Sequence, residues 1–139
     1  MRVFLLLILT AILWGATPIL EKAGLAKVTP LTAVTIRSIA VCTVLIFYLA
    51  ITGKLREAVS VDLRTIVIFS ISGILAGLIG MMTYFAALKS GATSEAVPIA
   101  ATYPLVTAIL SVLILGEQMT PIRVMGTILI VAGVWLVKM

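Results

Sequence analysis

Residues 3–20 read VFLLLILTAILWGATPIL, an apolar run without a charged side chain. About 20 such residues are needed for an α-helix to cross the hydrocarbon core of a bilayer. A helix is suited to the bilayer core because its backbone N–H and C=O groups hydrogen-bond to each other where no water is present. The run is longer than the apolar core of a secretory signal and lacks a convincing cleavage site, so we expect a retained transmembrane helix.

Four more apolar runs follow the first, at residues 31–51, 65–88, 95–115 and 121–137. Thr29-Pro30 and Thr120-Pro121 supply an N-cap and a first-turn proline for two of them. The chain is 63% hydrophobic and only 11% charged, whereas ordinary soluble domains are about 25% charged. These features predict an all-α membrane protein with five transmembrane helices, folded as one domain over residues 1–139 and located in the cell membrane as a multi-pass protein.

Composition excludes several classes of function. The formal net charge is +5, but the ten Lys and Arg residues are scattered singly between apolar runs, which argues against nucleic-acid binding. Cys42 is the single cysteine and there is no histidine, so we expect no disulfide within the chain, no metal site and no cofactor. No nucleophile-and-base set is recognisable, and an enzyme is not expected.

The distribution of basic residues gives little preference for one orientation in the membrane. With five spans, five basic residues lie on the N-terminal side and four on the other side. This weak bias permits insertion both ways up, which would supply two inverted copies from one gene. The two sets are Arg2, Lys54, Arg56, Arg64 and Arg123, and Lys22, Lys27, Lys89 and Lys138.

Helix 1 carries a polar stripe. Thr10, Trp14, Thr17 and Glu21 follow one another at intervals of 4, 3 and 4 residues, so they share one face. Pro18 leaves the Trp14 carbonyl without its helical donor and predicts a bend. Two interpretations stand side by side, a wall of a translocation pathway and an interhelical packing face.

Glu21 and Arg37 are the ionisable residues expected within the membrane, where a charge at the centre costs about 2.5–3.5 kcal/mol on insertion scales. Arg37 either extends to the interface or turns into the bundle as a counter-charge for an anionic group. Glu21 is either interfacial or a site for a coupling ion. Both residues lie towards the same side, so an ion pair between them is a further interpretation.

Glycines at helical spacing in helices 3 and 5 predict close packing, because small residues let helices approach in lipid. These glycines form a small-residue groove along helix 3, and Tyr84 lies at its end. Tyr84 is a better candidate for ligand contact than the glycines are. The packing or dimer-contact set is Gly73, Gly77 and Gly80 in helix 3, with Gly126 and Gly133 in helix 5.

Helix 4 combines interior prolines with a polar stripe. Pro98 and Pro104 predict kinks, and Pro104 removes the bond to the Ala100 carbonyl. Tyr103, Thr107 and Ser111 follow at intervals of four residues. Discontinuous helices of this kind line substrate cavities in transporters, whereas a statically kinked packing helix is the alternative.

An ordered set of residues along the chain resembles the EamA domain of the drug/metabolite transporter superfamily. The resemblance implies half of an inverted-repeat transporter, since most members have two such domains, ten helices in all. A half-transporter must pair with an antiparallel copy of itself or with a second EamA-like chain. The set is Trp14-Gly15, Pro30, Arg37, Ala86-Ala87-Leu88, Ala92, Pro104, Leu115-Gly116-Glu117, Gly126, Leu129-Ile130 and Gly133.

Residues 126–134 also resemble the dimer-forming last helix of small multidrug-resistance transporters. That family uses a carboxylate in the middle of its first helix, where this chain has Trp14, with Glu21 two turns further on. The departure argues against proton-coupled export of cationic drugs, which is kept as an alternative.

The leading prediction is a transporter of small organic metabolites that works by alternating access in the lipid bilayer as an antiparallel homodimer. The rival prediction is a non-transporting membrane subunit that packs with a partner complex and stabilises it. The residues expected along the substrate pathway are Trp14, Thr17, Arg37, Tyr84, Tyr103, Thr107 and Ser111, with Glu21 for ion coupling.

Overall fold

The computed structural model describes the backbone of residues 1–138 and the side chains of residues 1–137. It divides into two units, residues 1–89 and the remainder of the chain, which are described separately below. The first unit contains the helices with the predicted charge pair, and the second contains the proline-interrupted helix and the last helix.

The first unit begins with two long helices, α1 (Arg2–Leu25) and α2 (Pro30–Thr52). α1 runs five residues past its predicted end because Glu21 and Lys22 continue the helix, and it remains an α-helix through Pro18. Thr29 caps the start of α2, because its hydroxyl accepts a hydrogen bond from the Thr32 N–H at 3.2 Å. Pro30 lies in the first turn. Gly53 ends α2 in the left-handed conformation at φ 69°.

A short helix, α3 (Leu55–Val59), precedes the third long helix, which starts with α4 (Leu63–Ser72). The Asp62 carboxylate caps α4, accepting from the Thr65 N–H at 3.0 Å and the Thr65 hydroxyl at 2.7 Å. These hydrogen bonds lower the pKa of Asp62, because they stabilise its ionised form.

The third helix was predicted as one α-helix over residues 65–88, but its middle is a π-helix. The segment Gly73–Gly80 has π geometry and leads into α5 (Met81–Ser90). Backbone bonds then run to the fifth residue back, which widens the helix. At Gly80 an added Cβ would lie 3.1 Å from the Leu75 carbonyl oxygen, five residues earlier, so this turn favours glycine.

The second unit contains α6 (Thr93–Ala100), α7 (Tyr103–Leu115) and α8 (Pro121–Lys138). The predicted helix 4 is therefore interrupted at residues 101 and 102, because Pro104 in the first turn of α7 has no N–H to give to the Ala100 carbonyl. Pro98 lies inside α6. α7 ends at Gly116, which has a φ of 67°.

The described helices confirm an all-α, multi-pass membrane protein. Most large apolar side chains are exposed on the chain, as expected for surfaces that face lipid. The spans long and apolar enough to cross a membrane are Arg2–Leu25, Pro30–Thr52, Leu63–Ser90 and Thr93–Leu115, with Pro121–Val137 as a shorter apolar helix. At 17 residues, the fifth still falls within the range of about 17–25 residues seen for spanning helices.

The buried apolar residues of the described chain lie in the first unit. Leu25 of α1, Val34 of α2, and Phe85 and Leu88 of α5 are each at most 3% exposed. All four are near the C-terminal ends of α1 and α5 or the first turns of α2. This small core lies at the same end of the first unit as the candidate site.

We expect Gly80→Ala to destabilise the protein relative to Gly77→Ala. At Gly77 an added Cβ meets nothing within 4 Å, whereas at Gly80 it presses on a backbone oxygen. Gly77→Ala should be neutral or stabilising through reduced backbone entropy, and Gly80→Ala should be less stable by about 1 kcal/mol. Thermal unfolding of both variants in one detergent measures the difference, and equal stabilities would contradict the π geometry of this turn.

Candidate functional site

A cavity of about 420 Å³ lies in the first unit. Its α1 residues recur at the 3- and 4-residue intervals of one helical face, and its α2 residues do the same. Val28, in the turn between the two helices, and Phe85 of α5 contribute the remaining wall. We call this space the α1–α2 cavity, and its lining residues are Thr17, Leu20, Glu21, Gly24, Leu25, Val28, Ala33, Ile36, Arg37 and Phe85.

Glu21 and Arg37 bring opposite charges together in the α1–α2 cavity. The Glu21 Oε1 and Arg37 Nη1 atoms are 4.0 Å apart, and the two side chains are 13% and 47% exposed. The carboxylate is therefore withdrawn into the chain, whereas the guanidinium is half open. Charge-assisted hydrogen bonds measure about 2.7–2.9 Å, so this pair attracts without forming a close hydrogen bond.

The remainder of the α1–α2 cavity is mainly apolar. Thr17 provides a hydroxyl, but it donates to the Leu13 carbonyl of its own helix at 2.6 Å. Gly24 leaves open space, since an added Cβ there would meet nothing within 4 Å. The site thus combines one charge pair with apolar walls, which suits a small molecule with a polar end and an apolar body.

Three of the predicted pathway and coupling residues, Thr17, Glu21 and Arg37, line this cavity. Tyr84 is absent from the lining but is half buried next to Phe85, with ring centroids 6.0 Å apart. Trp14 also lies outside the lining and is 65% exposed.

The other three predicted pathway residues belong to the second unit. Tyr103 and Thr107 are exposed on α7. Ser111 is half buried, and its hydroxyl donates to the Ala108 carbonyl at 3.1 Å. These side chains form a stripe on α7, as their spacing predicted, and their role along a pathway stays a prediction.

Sequence reasoning did not identify Phe85, Gly24 or Ile36 as site residues. The face of Thr17 and Glu21 extends at helical spacing to Gly24, so a helix 1 predicted through residue 25 would have indicated this glycine. Phe85 is an apolar residue in an apolar helix, and its sequence surroundings carry no comparable signal.

Two lysines tie the ends of α1 and α5 together beside the α1–α2 cavity. Lys22 Nζ donates to the Leu88 carbonyl and, at 3.2 Å, to the Lys89 carbonyl. Lys89 Nζ donates to the Val28 carbonyl at 2.7 Å. The Leu88 and Lys89 carbonyls belong to the last turn of α5, where carbonyls lack helical partners and carry partial negative charge, so a cation stabilises them.

Within residues 1–138, no group of three or more His, Cys, Asp or Glu side chains is placed to hold a metal ion.

We expect Lys22→Met to lower the melting temperature more than Lys27→Met. Lys22 bridges two helix ends, whereas Lys27 is an exposed lysine on the following turn with the same charge. Loss of hydrogen bonds from a charged donor should cost on the order of 1–3 kcal/mol. Thermal unfolding in detergent tests this, and an equal effect of the two variants would show that the contact contributes no stability.

Comparison with known proteins places the whole chain in one family. The family model described as the EamA-like transporter family matches residues 1–139. An uncharacterized transporter of Archaeoglobus fulgidus is 29% identical over 127 residues, covering 91% of this chain and 45% of that protein. An "uncharacterized transporter in cobO 3'region" of a Sinorhizobium species is 29% identical over 126 residues, covering 91% of this chain and 89% of that protein.

The chain spans about half the length of the archaeal relative and most of the bacterial one. No solved structure matches it significantly. The family match covers every transmembrane segment described above. It therefore includes the helices that carry the charge pair and the interrupted helix. The chain therefore belongs to the EamA-like transporter family.

Proposed function

We propose that this chain is a membrane transporter unit that carries small organic metabolites through the α1–α2 cavity by alternating access. The observation that carries the proposal is the pairing of Glu21 with Arg37 in a cavity of about 420 Å³. Small-molecule sites usually have volumes of about 300–1,000 Å³ with a few polar groups in apolar walls. Ionisable residues within membrane spans commonly mark substrate or ion pathways.

Family membership supports transport as the activity, and both relatives are named transporters. In this proposal Arg37, half exposed, offers donors to an acceptor group of the solute, and Glu21 offers acceptors to a donor group. Thr17 and Phe85 shape the space around them. Tyr103, Thr107 and Ser111 are proposed as pathway residues of the second unit, on the basis of their stripe on α7 alone.

The position of the α1–α2 cavity supports a paired transporter. Glu21 lies about 6 Å along α1 from Leu25, and Arg37 lies about 10 Å along α2 from Pro30, at 1.5 Å per residue. The cavity is thus near one membrane face. A second copy of the chain, inserted the opposite way up, would place an equivalent cavity near the other face. This is the arrangement of inverted-repeat transporters.

The glycine faces of the π-helical segment Gly73–Gly80 and of α8 offer surfaces for this pairing. Added Cβ atoms at Gly73, Gly77, Gly126 and Gly133 would each meet nothing within 4 Å, so these faces are open on the chain. Open small-residue faces favour close helix contacts in lipid. We propose that they form the contact between two antiparallel copies of the chain, or between this chain and a second EamA-like chain.

We expect Gly24→Leu to reduce solute uptake at least tenfold and Gly15→Leu to leave it nearly unchanged. Both glycines lie on α1, and neither has an atom within 4 Å of an added Cβ, so both variants should fold. Gly24 lines the α1–α2 cavity, whereas Gly15 does not. A leucine at position 24 should therefore occupy the space that the solute needs.

The measurement is a solute screen in liposomes that contain the purified, folded protein, followed by initial uptake rates of the two variants. Equal rates for Gly24→Leu and wild type would remove the α1–α2 cavity from the pathway. Silence of the wild type with every solute tested would favour the non-transporting subunit.

A further inference from the structure

The third membrane span changes its helical geometry halfway along. The span Leu63–Ser90 is one continuous helix, but its middle, Gly73–Gly80, is a π-helix between α4 and α5. We call Gly73–Gly80 the π segment. π-Helices mostly occur as single turns, frequently at functional sites. A π-helix is wider than an α-helix and rises and turns less per residue, so conversion to α geometry would lengthen the segment and rotate α4 about its axis relative to α5.

A side chain stabilises the end of the π segment. Where backbone bonding changes from the fifth residue back to the fourth, successive N–H groups pass over one carbonyl and leave it without a donor. The Thr83 hydroxyl lies at this junction and donates to the Gly80 carbonyl at 2.9 Å and to the Ile79 carbonyl at 3.2 Å. In an all-α span the backbone N–H groups would reach both carbonyls, so this hydroxyl favours the π form.

Gly80 favours the π form by having no side chain. A Cβ added there would lie 3.1 Å from the Leu75 carbonyl oxygen, five residues earlier. In α geometry this carbonyl would turn to the N–H of Ile79, four residues further on, and the close contact would be relieved. A methyl group at position 80 therefore shifts the balance between the two forms towards α.

The two helices that flank the π segment are held differently. α5 is fixed at the cavity end, because its Phe85 and Leu88 side chains are at most 2% exposed and Lys22 of α1 donates to the Leu88 carbonyl. Every side chain of α4 is at least partly exposed, and so is every side chain of the π segment. Conversion of the π segment would therefore turn α4 and leave α5 in place.

α4 lies at the end of the first unit away from the α1–α2 cavity. The cavity is lined by Phe85 of α5, whereas α4 forms the opposite end of the same membrane span. A rotation of α4 would change the surface near the other membrane face and spare the cavity. Alternating access requires such a change, in which one end of the pathway rearranges around a fixed site.

We propose that the π segment is a hinge that converts between π and α geometry and rotates α4 during transport, while α5 stays fixed to α1. The proposal follows from the position of the π segment between a fixed helix and a free one. It rests on the proposed transport function and adds the moving element to it.

Two substitutions should shift the hinge towards its α form, and each has a matched control. Gly80→Ala adds a methyl group that presses on a carbonyl of the π form, whereas Gly15→Ala adds the same group to α1, where nothing lies within 4 Å. Thr83→Val removes the donor at the junction. Thr43→Val removes a hydroxyl that donates at 2.8 Å to the carbonyl four residues earlier in α2, an ordinary α-helix.

Spin labels measure the hinge geometry in the full-length protein in nanodiscs. Cys42 is replaced by serine, and labels are placed at Phe69 of α4 and Ala87 of α5, both of which are exposed. Electron–electron resonance distances should shift towards longer values in both hinge variants, by about fivefold in population, and further in the double variant. The two controls should match the wild type, and so should Thr83→Ser, which keeps the hydroxyl. Unchanged distances in the double variant would overturn the hinge.

Uptake into liposomes separates the hinge from the proposed function. With a solute that the wild type transports, each hinge variant should lower the initial rate about fivefold, and each control should stay within about twofold of the wild type. Full rates in hinge variants whose label distances have shifted would overturn the role of the hinge in transport. A wild type that transports no solute would overturn the proposed function, whereas the label distances test the hinge independently.

Discussion

The hydrocarbon core of a bilayer offers no water to a polar group, so each such group in this chain has to find its partner within the protein. The threonine hydroxyls of the first two helices satisfy this constraint through their own backbone. Thr10, Thr17, Thr35 and Thr43 each donate to the carbonyl four residues earlier. Lys22 donates to the Leu88 carbonyl near the end of α5, and Lys89 donates to the Val28 carbonyl in the turn after α1. A polar stripe on a membrane helix therefore does not by itself require a polar neighbour.

Glu21 and Arg37 meet the same constraint in a different way. They compensate each other's charge across two helices, yet at 4.0 Å they do not bind each other closely. This leaves attractive charge and hydrogen-bonding capacity at the wall of a cavity, in a chain whose threonine hydroxyls are largely satisfied locally. Charge compensation without close hydrogen bonding is what the proposed role of this pair in solute binding requires.

The sequence predicted the features that depend on local chemistry. The apolar runs identified the spans, Thr29-Pro30 identified the start of α2, and Pro104 identified the interruption before α7. The π-helix at Gly73–Gly80 was not predicted, because a glycine-rich apolar run fits an α-helix equally well. Glu21 and Arg37 were recognised as membrane charges, with their pairing left as one of several interpretations. The contribution of Phe85 and the lysine contacts between α1 and α5 depends on how distant helices meet, which no local pattern specifies.

The central proposal is that one copy of the chain supplies half of a pathway and an inverted copy supplies the other half. Its most direct test is the sidedness of the C-terminus in cells. Cys42, the single cysteine, is replaced by serine, one cysteine is appended after Met139, and intact cells are labelled with a membrane-impermeant maleimide before and after permeabilisation. Protection of about half of the molecules is the result expected for an antiparallel homodimer, given the near-even distribution of basic residues. Labelling that is complete or absent before permeabilisation would contradict it and would require a second, oppositely inserted chain.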